Sequence, residues 1–361
     1  MKNVSILHIA AENFAGVPYD FVKMHQAHGN HSRLITLHAN PLGFPEDICL
    51  NFPIARSSMA KKYRQQFALI SKQEKSNQPF YWKPRNFPES LYFSLQTFSR
   101  KNTIKELITQ ESLDSFDIIH YDGGLDFTRD SRSAKRWKSM NKGIVNCYYG
   151  SDLRSRGIIP AMDAISDLNI TSEFDHLSMH RNIEYVFYPY DTSELPEVNP
   201  EKDFSQVRIV HSPTNRLYKG TDLILKVINK LKKSFTFDFF LLENMSRKDV
   251  LSIKKDCTIS IDQVGGTFGG TGYGKAGIES LAMGIPTITN MTSDYQEWIP
   301  ENPFSVANDE KSLEDMLVQL IEAPELCKEL GLKGKKWVHN HHSYEKVHSR
   351  LSSLYEKYGL W

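Results

Sequence analysis

Short apolar runs alternate with helix-like stretches along this chain, and the alternation runs twice, once on each side of a proline-bearing segment. In the first half, residues 4–10 form an apolar run ending at a loop with Gly16 and Pro18. Residues 19–27 carry helical spacing, and 34–37, 117–120 and 144–148 are further apolar runs. In the second half, residues 207–210, 237–242, 258–264 and 287–290 read as strands, with helices over 222–231 and starting at Glu279. Buried strands separated by helices predict an α/β fold, with parallel sheets covered on both faces. Residues 188–200 hold three prolines and read as a linker. A chain of 361 residues is long enough for two such domains, each with its own core. We place them at 1–194 and 195–343, followed by a helix within 344–361. Ligands on such sheets sit beyond the carboxyl ends of the strands, so the loops after Ala10, His120 and Tyr149 become candidate ligand loops.

Composition narrows the function classes. The net charge is +1, so no global field draws the protein to nucleic acid, and no nucleic-acid partner is expected. The four cysteines, Cys49, Cys147, Cys257 and Cys327, form no CxxC pair, which fits idle thiols in a reduced, cytoplasmic compartment. His339, His341 and His342 lie on a polar stretch and read as solvated, so no metal is expected. The start of the chain reads as a buried strand rather than a signal peptide. No run approaches the ~18 apolar residues of a membrane span. Residues 56–105 interleave basic side chains such as Lys61, Lys62, Arg64, Arg100 and Lys101 with aromatics such as Tyr63, Phe67, Phe80, Trp82, Phe87 and Phe98. That composition suits peripheral contact with an anionic membrane surface. It equally suits a solvated helix face with aromatics in the core.

Two segments carry the chemistry. The first, His211-Ser-Pro-Thr-Asn-Arg-Leu-Tyr-Lys-Gly-Thr-Asp222, follows a strand and opens a helix. A departing diphosphate gains negative charge as its bond breaks. Cationic side chains and helix N-terminal amides stabilise that charge, so Arg216 and Lys219 are candidates to converge on it. In the second, seven glycines from Gly265 onward precede Glu279. Glycines let a backbone approach a ligand closely, and consecutive amides can cradle an anion. A carboxylate beyond them suits the vicinal hydroxyls of a ribose. The segment does not match a P-loop.

In this order, the pair of segments resembles the C-terminal domain of retaining GT-B glycosyltransferases of family 4. The first resembles that family's arginine–lysine–glycine element in its H-x-P-x-N-R form. The second, from Gly277 to Pro286, resembles its G-x-E-x-x-A-x-G-x-P element, with Asp262-Gln263 before it. Residues 116–120 and 150–154 resemble strand ends of the N-terminal domain. The resemblance implies two Rossmann-like domains with a cleft between them and a nucleotide-sugar donor, UDP- or GDP-linked. It implies that Asn215, Arg216 and Lys219 hold the donor diphosphate and Glu279 the ribose. Gly274, Lys275 and Ala276 would face the phosphates, and the loop at Gly16 would lie across the cleft near the acceptor and the leaving phosphate of the donor. The loop of Glu243, Asn244 and Met245 would read the base. It further implies transfer with retention, no metal or other cofactor, and a last helix that returns to the first domain.

The departures lie on the sugar and acceptor sides. Where the family carries a second glutamate, this chain has Thr271, and where it carries a second strand-end histidine, this chain has Asp122. Tyr149 stands where histidine is frequent. Asp122 is either an acceptor-side carboxylate or a turn cap, and His120 either a catalytic group or a packed strand-end residue. The acceptor would be a glycan, a lipid-linked glycan or a small molecule, with the enzyme in the cytoplasm or at its membrane surface. Two alternatives remain: a GT-B sugar-nucleotide epimerase, and a catalytically silent GT-B subunit that binds a nucleotide sugar or a partner.

Overall fold

The computed structural model describes residues 4–41, 43–53, 79–199, 202–265 and 271–361. The part of the basic, aromatic stretch that precedes residue 79, with Lys61, Lys62, Tyr63, Arg64 and Phe67, lies outside these residues. So do Gly266, Gly269 and Gly270 of the glycine-rich segment. The chain divides into two units. One holds Met1–Pro189 with Tyr344–Trp361, and the other holds Tyr190–Ser343. The division falls inside the proline-bearing segment, and the helix Tyr344–Lys357 is part of the first unit.

Among the described residues, the first unit has seven strands: β1 (Ser5–Ala10), β2 (His31–Thr36), β3 (Ile48–Cys49), β4 (Ile118–Asp122), β5 (Gly143–Tyr148), β6 (Leu168–Thr171) and β7 (Glu184–Tyr185). They pair in parallel in the order β3-β2-β1-β4-β5-β6-β7, so the winding reverses between β1 and β4. Side chains alternate across a strand, so each of these strands serves two faces. Leu7 and Ile9 of β1 join Ile119 and Tyr121 of β4 and Trp137 in the main core. The opposite face of the same two strands carries polar groups, with His8 and His120 opposite each other in register and both fully buried. The helix α1 (Val17–Ala27) contributes His25 to this face, and the helix Tyr344–Lys357 contributes Tyr355.

The helix α2 (Phe87–Gln110) is capped by Asn86, whose side chain accepts from the Glu89 amide at 2.9 Å. Phe87, Leu91, Leu95 and Phe98 follow helical spacing but are exposed, as are Phe80, Tyr81 and Tyr92. The expectation that the aromatics of this stretch pack in the core is therefore corrected for these residues. Trp82 and Phe93 are the sheltered ones, with the Arg129 guanidinium 4.6 and 4.4 Å over their rings. Among the described residues, no helix is long and apolar enough to cross a membrane.

The second unit holds β8 (Arg208–His211), β9 (Asp238–Leu241), β10 (Ile259–Ile261), β11 (Thr287–Thr289) and β12 (Ser305–Val306). They are parallel in the order β12-β11-β10-β8-β9, with the reversal between β8 and β10. Ile224, Val227, Ile228 and Leu231 of α3 (Thr221–Leu231) pack on Ile209, Ile259 and Ile261. The helix α4 (Arg247–Lys254) follows β9, and α5 (Lys275–Ala282) precedes β11. The expected helix start at Glu279 is corrected: α5 begins at Lys275, so Glu279 sits inside it. Gly277 lies in its first turn, where an added Cβ would lie 3.2 Å from Asp262 Oδ2.

Candidate functional site

Both sheets offer a crevice where the strand order reverses, the position that favours ligands in open α/β folds. In the second unit this is the carboxyl end of β8 and β10, and most of the donor-side residues gather there. Asn215 ends the loop after β8 and accepts from the amides of Leu217 and Tyr218, capping the short helix Arg216–Lys219. Gly220 ends that helix in the left-handed region at φ 67°. A Cβ there would lie 1.8 Å from the carbonyl oxygen of Val264. Only glycine lets these two backbones touch, and the contact sets Lys219 beside β10.

Lys219 Nζ donates to Asp262 Oδ1 at 2.6 Å and to Gln263 Oε1 at 3.1 Å. Asp262 is fully buried and its second oxygen accepts from the Gly274 amide at 2.7 Å. Burial pushes the Asp262 carboxyl upward, but Lys219 and that amide outweigh it and hold it below the usual range. Gly274 is the N-cap residue of α5, and a Cβ on it would lie 2.9 Å from Lys219 Nζ. The ammonium group therefore sits over the start of α5, where the first-turn amides of Lys275 and Ala276 and the helix dipole also favour an anion.

Arg216 is placed differently. Its guanidinium donates to Asp222 at 2.7 Å and to Glu243 at 2.7 Å and is partly exposed. Glu243, expected to read a base, is thus the partner of Arg216. Its neighbour Asn244 has φ 56°, and Met245 is exposed.

Glu279 is buried and is not solitary. Arg247 Nε donates to its Oε1 at 2.9 Å, and Lys254 Nζ lies 3.7 Å from its Oε2. Arg247 also reaches the Tyr190 hydroxyl at 3.2 Å, and Lys254 donates to the Ala276 carbonyl at 3.2 Å. Burial lowers the Lys254 pKa, which Glu279 and Asp262 oppose. Sequence reasoning missed both cations. The available signal was their seven-residue spacing on one helix, which puts them on one face two turns apart. Thr271 accepts from the Thr292 amide at 2.8 Å, so its hydroxyl has a local structural partner.

In the first unit the reversal lies at the ends of β1 and β4. Gly16, at φ 76°, opens α1 in the loop after β1. Asp122 accepts from His8 Nδ1 at 3.0 Å and from the Tyr149 hydroxyl at 2.5 Å, so its oxygens bind two side chains instead of capping a turn. Burial raises the Tyr149 pKa, and the Asp122 charge raises it further. His120 bonds the Tyr355 hydroxyl through Nε2 and Cys147 Sγ through Nδ1 at 3.2 Å. It is packed in the middle of β4, where the sequence predicts the strand's end. His25 stands beside His8 and His120, with ring centroids 5.6 and 6.0 Å away. Burial and the neighbouring imidazoles hold the His25 pKa well below its ordinary value. His342 is buried and its Nε2 lies 3.2 Å from the Tyr273 hydroxyl, so it is not solvated as expected.

No protein-family model and no curated protein sequence matches the chain. Solved structures do. The catalytic domain of starch synthase IV from Arabidopsis thaliana, solved with ADP and acarbose, matches with a TM-score of 0.64 at 12% identity, over 99% of each chain. Sucrose-phosphate synthase from Thermosynechococcus elongatus matches at 0.61 and 11% identity, over 98% of this chain and 99% of that one. HepE from Anabaena, solved with UDP and glucose, matches at 0.59 and 9% identity, over 98% of this chain and 100% of that one. With two parallel-sheet α/β domains, the chain has the fold of GT-B glycosyltransferases.

Proposed function

We propose that this protein is a retaining, metal-independent glycosyltransferase of the family 4 type, which moves a sugar from a nucleotide sugar to a glycan, lipid-linked or small-molecule acceptor. The observation that carries this reading is the Lys219 ammonium over Gly274 at the start of α5, beside the strand reversal. A cation, a helix N-terminus and a close-approaching glycine backbone are together suited to a diphosphate leaving group. Arg216, released from Asp222 and Glu243, adds a second positive charge. Glu279, positioned by Arg247 and Lys254, has lone pairs left to accept ribose hydroxyls. Attack occurs on the face the diphosphate leaves, with a departing phosphate oxygen taking the acceptor proton. The two cations take the role a metal plays in other transferases. Fold neighbours solved with ADP or UDP support a nucleoside diphosphate donor, here uridine- or guanosine-linked. The exposed stripe from Phe87 to Phe98 supports an acceptor at an anionic membrane surface on the cytoplasmic side.

A silent nucleotide-sugar-binding subunit is the second reading, favoured by the double engagement of Asp122, which leaves no uncommitted acceptor-side carboxylate among the residues named. Thermal unfolding against UDP, GDP, ADP, CMP and their sugars tests the donor site. A ligand at ~100 times its dissociation constant adds about 2.7 kcal/mol of stability. One nucleotide series should raise the melting temperature of the wild type and fail with Arg216→Ala and Glu279→Ala. No response to any nucleotide rejects the donor site. Binding without donor hydrolysis or transfer selects the silent subunit.

A further inference from the structure

The polar face of the first sheet holds more than the reaction uses. His8, His25 and His120 are all buried, and one ring nitrogen from each lies within 4.8 Å of the other two. Both nitrogens of His25 and the Nε2 of His8 have no hydrogen-bond partner. Buried polar atoms are rarely left so, and their occurrence on two histidines that adjoin a third indicates a missing group. A neutral imidazole presents one lone pair and one N–H, so a Lewis-acidic cation facing the lone pairs would fill this role. The other nitrogen of His8, Nδ1, lies 3.0 Å from Asp122 Oδ2. A carboxylate there fixes the tautomer that carries its proton on Nδ1 and leaves Nε2 as a ligand, the outer-shell arrangement typical of metal-bound histidine.

We propose that His8, His25 and His120 form a buried site for a divalent transition ion, zinc in the first instance, in the first unit of the fold. Imidazole suits zinc, nickel and copper, and three histidines leave a fourth position open. Ligation at about 2.0–2.1 Å would draw tetrahedral nitrogens in from the present spread to roughly 3.3 Å apart. His120 gives up one of its two present bonds to supply its nitrogen. The ion would tie β1, β4 and α1 together, since each of the three elements supplies one histidine. This proposal is independent of the transfer reaction and of the donor site, which belongs to the second unit.

The test uses the full chain, stripped with a chelator that is then removed, and titrated with Zn²⁺ by calorimetry and with Co²⁺ by visible absorption. The expected result is one equivalent per chain, with the intense visible bands of tetrahedral Co²⁺. Binding should be lost in His25→Leu, an apolar replacement that brings no ring nitrogen of its own. It should weaken at least tenfold in His8→Gln. The surface variant His339→Gln should bind as the wild type does. Absence of binding by folded wild type overturns the site, as does unchanged stoichiometry and affinity in His25→Leu. Near-ultraviolet circular dichroism verifies that each variant is folded, and if His25→Leu is not, unchanged binding by His8→Gln overturns it instead.

Discussion

Lys219 Nζ lies 2.6 Å from Asp262 Oδ1, and the Asp262 side chain is fully buried while that of Lys219 keeps 15% of its exposure. Removing one member of such a pair leaves a buried charge uncompensated, at a cost of about 3–5 kcal/mol. Lys219→Met should fall near the lower end, because Lys254 also lowers the Asp262 pKa. The double variant Lys219→Met/Asp262→Asn should be less destabilised than the sum of its parts, by at least about 1 kcal/mol. Urea unfolding of the four proteins measures this. Additive losses would mean that the pair is not the unit that organises the strand end.

Gly220 and Gly284 have nearly the same backbone, at φ 67° and φ 70°, but different surroundings. A Cβ on Gly220 would enter the Val264 carbonyl at 1.8 Å, whereas one on Gly284 would meet only the Gly331 carbonyl at 3.9 Å. Gly284→Ala should therefore cost about 1–2 kcal/mol, the ordinary penalty of the left-handed region. Gly220→Ala must also push the Lys219 loop off β10, and it should cost clearly more and weaken nucleotide binding. Equal losses in the two variants, read by denaturant midpoints, would show that the close approach to Val264 has no energetic weight.

These residues also show where the sequence was legible. The strands at 4–10 and 144–148 are apolar runs bounded by loops, a local signal, and they appear with ends shifted by a residue at most. Lys219 and Glu279 stand in motifs whose residues are neighbours in the chain. Their partners are not neighbours. Arg247 meets Glu279 across 32 positions, and His8 meets Asp122 across 114. No local pattern encodes such a meeting, which depends on strand register and helix packing. The start of α5 was misplaced for a related reason. Gly277 reads as loop sequence, and its close packing against Asp262, fifteen positions away, is visible only in the fold.

Stability should fall as the pH drops below neutrality. His211 is fully buried, with Nδ1 donating to the Ile261 carbonyl at 2.8 Å and Nε2 accepting from the Thr221 hydroxyl at 2.9 Å. Burial holds its pKa down to about 4, against 6.5 in an open chain. Above about 6.5 both folded and unfolded chains carry it neutral, and its contribution is fully present. As the pH falls from there to about 4, the unfolded chain takes up a proton that the folded one refuses. The contribution is lost, on the order of 3 kcal/mol in all. Urea midpoints at about pH 7.5 and about pH 5 should differ in this direction, and His211→Gln should flatten the slope. A variant with an unchanged slope would remove His211 from the account.

Glu279 binds Arg247 at 2.9 Å and neighbours Lys254, which is itself fully buried. Glu279→Ala should then lower stability by about 3 kcal/mol before any ligand is added, because two cations lose their nearest counter-charge. The melting temperature alone cannot report on the ribose; the ligand-induced increment can. If Glu279 accepts the ribose hydroxyls and Arg247 only positions it, Glu279→Ala should weaken nucleotide binding tenfold or more. Arg247→Leu should cost comparable stability and weaken binding much less. Titration calorimetry with the best nucleotide decides between the two side chains. The reverse ranking would make Arg247 the group that touches the ligand and Glu279 its support.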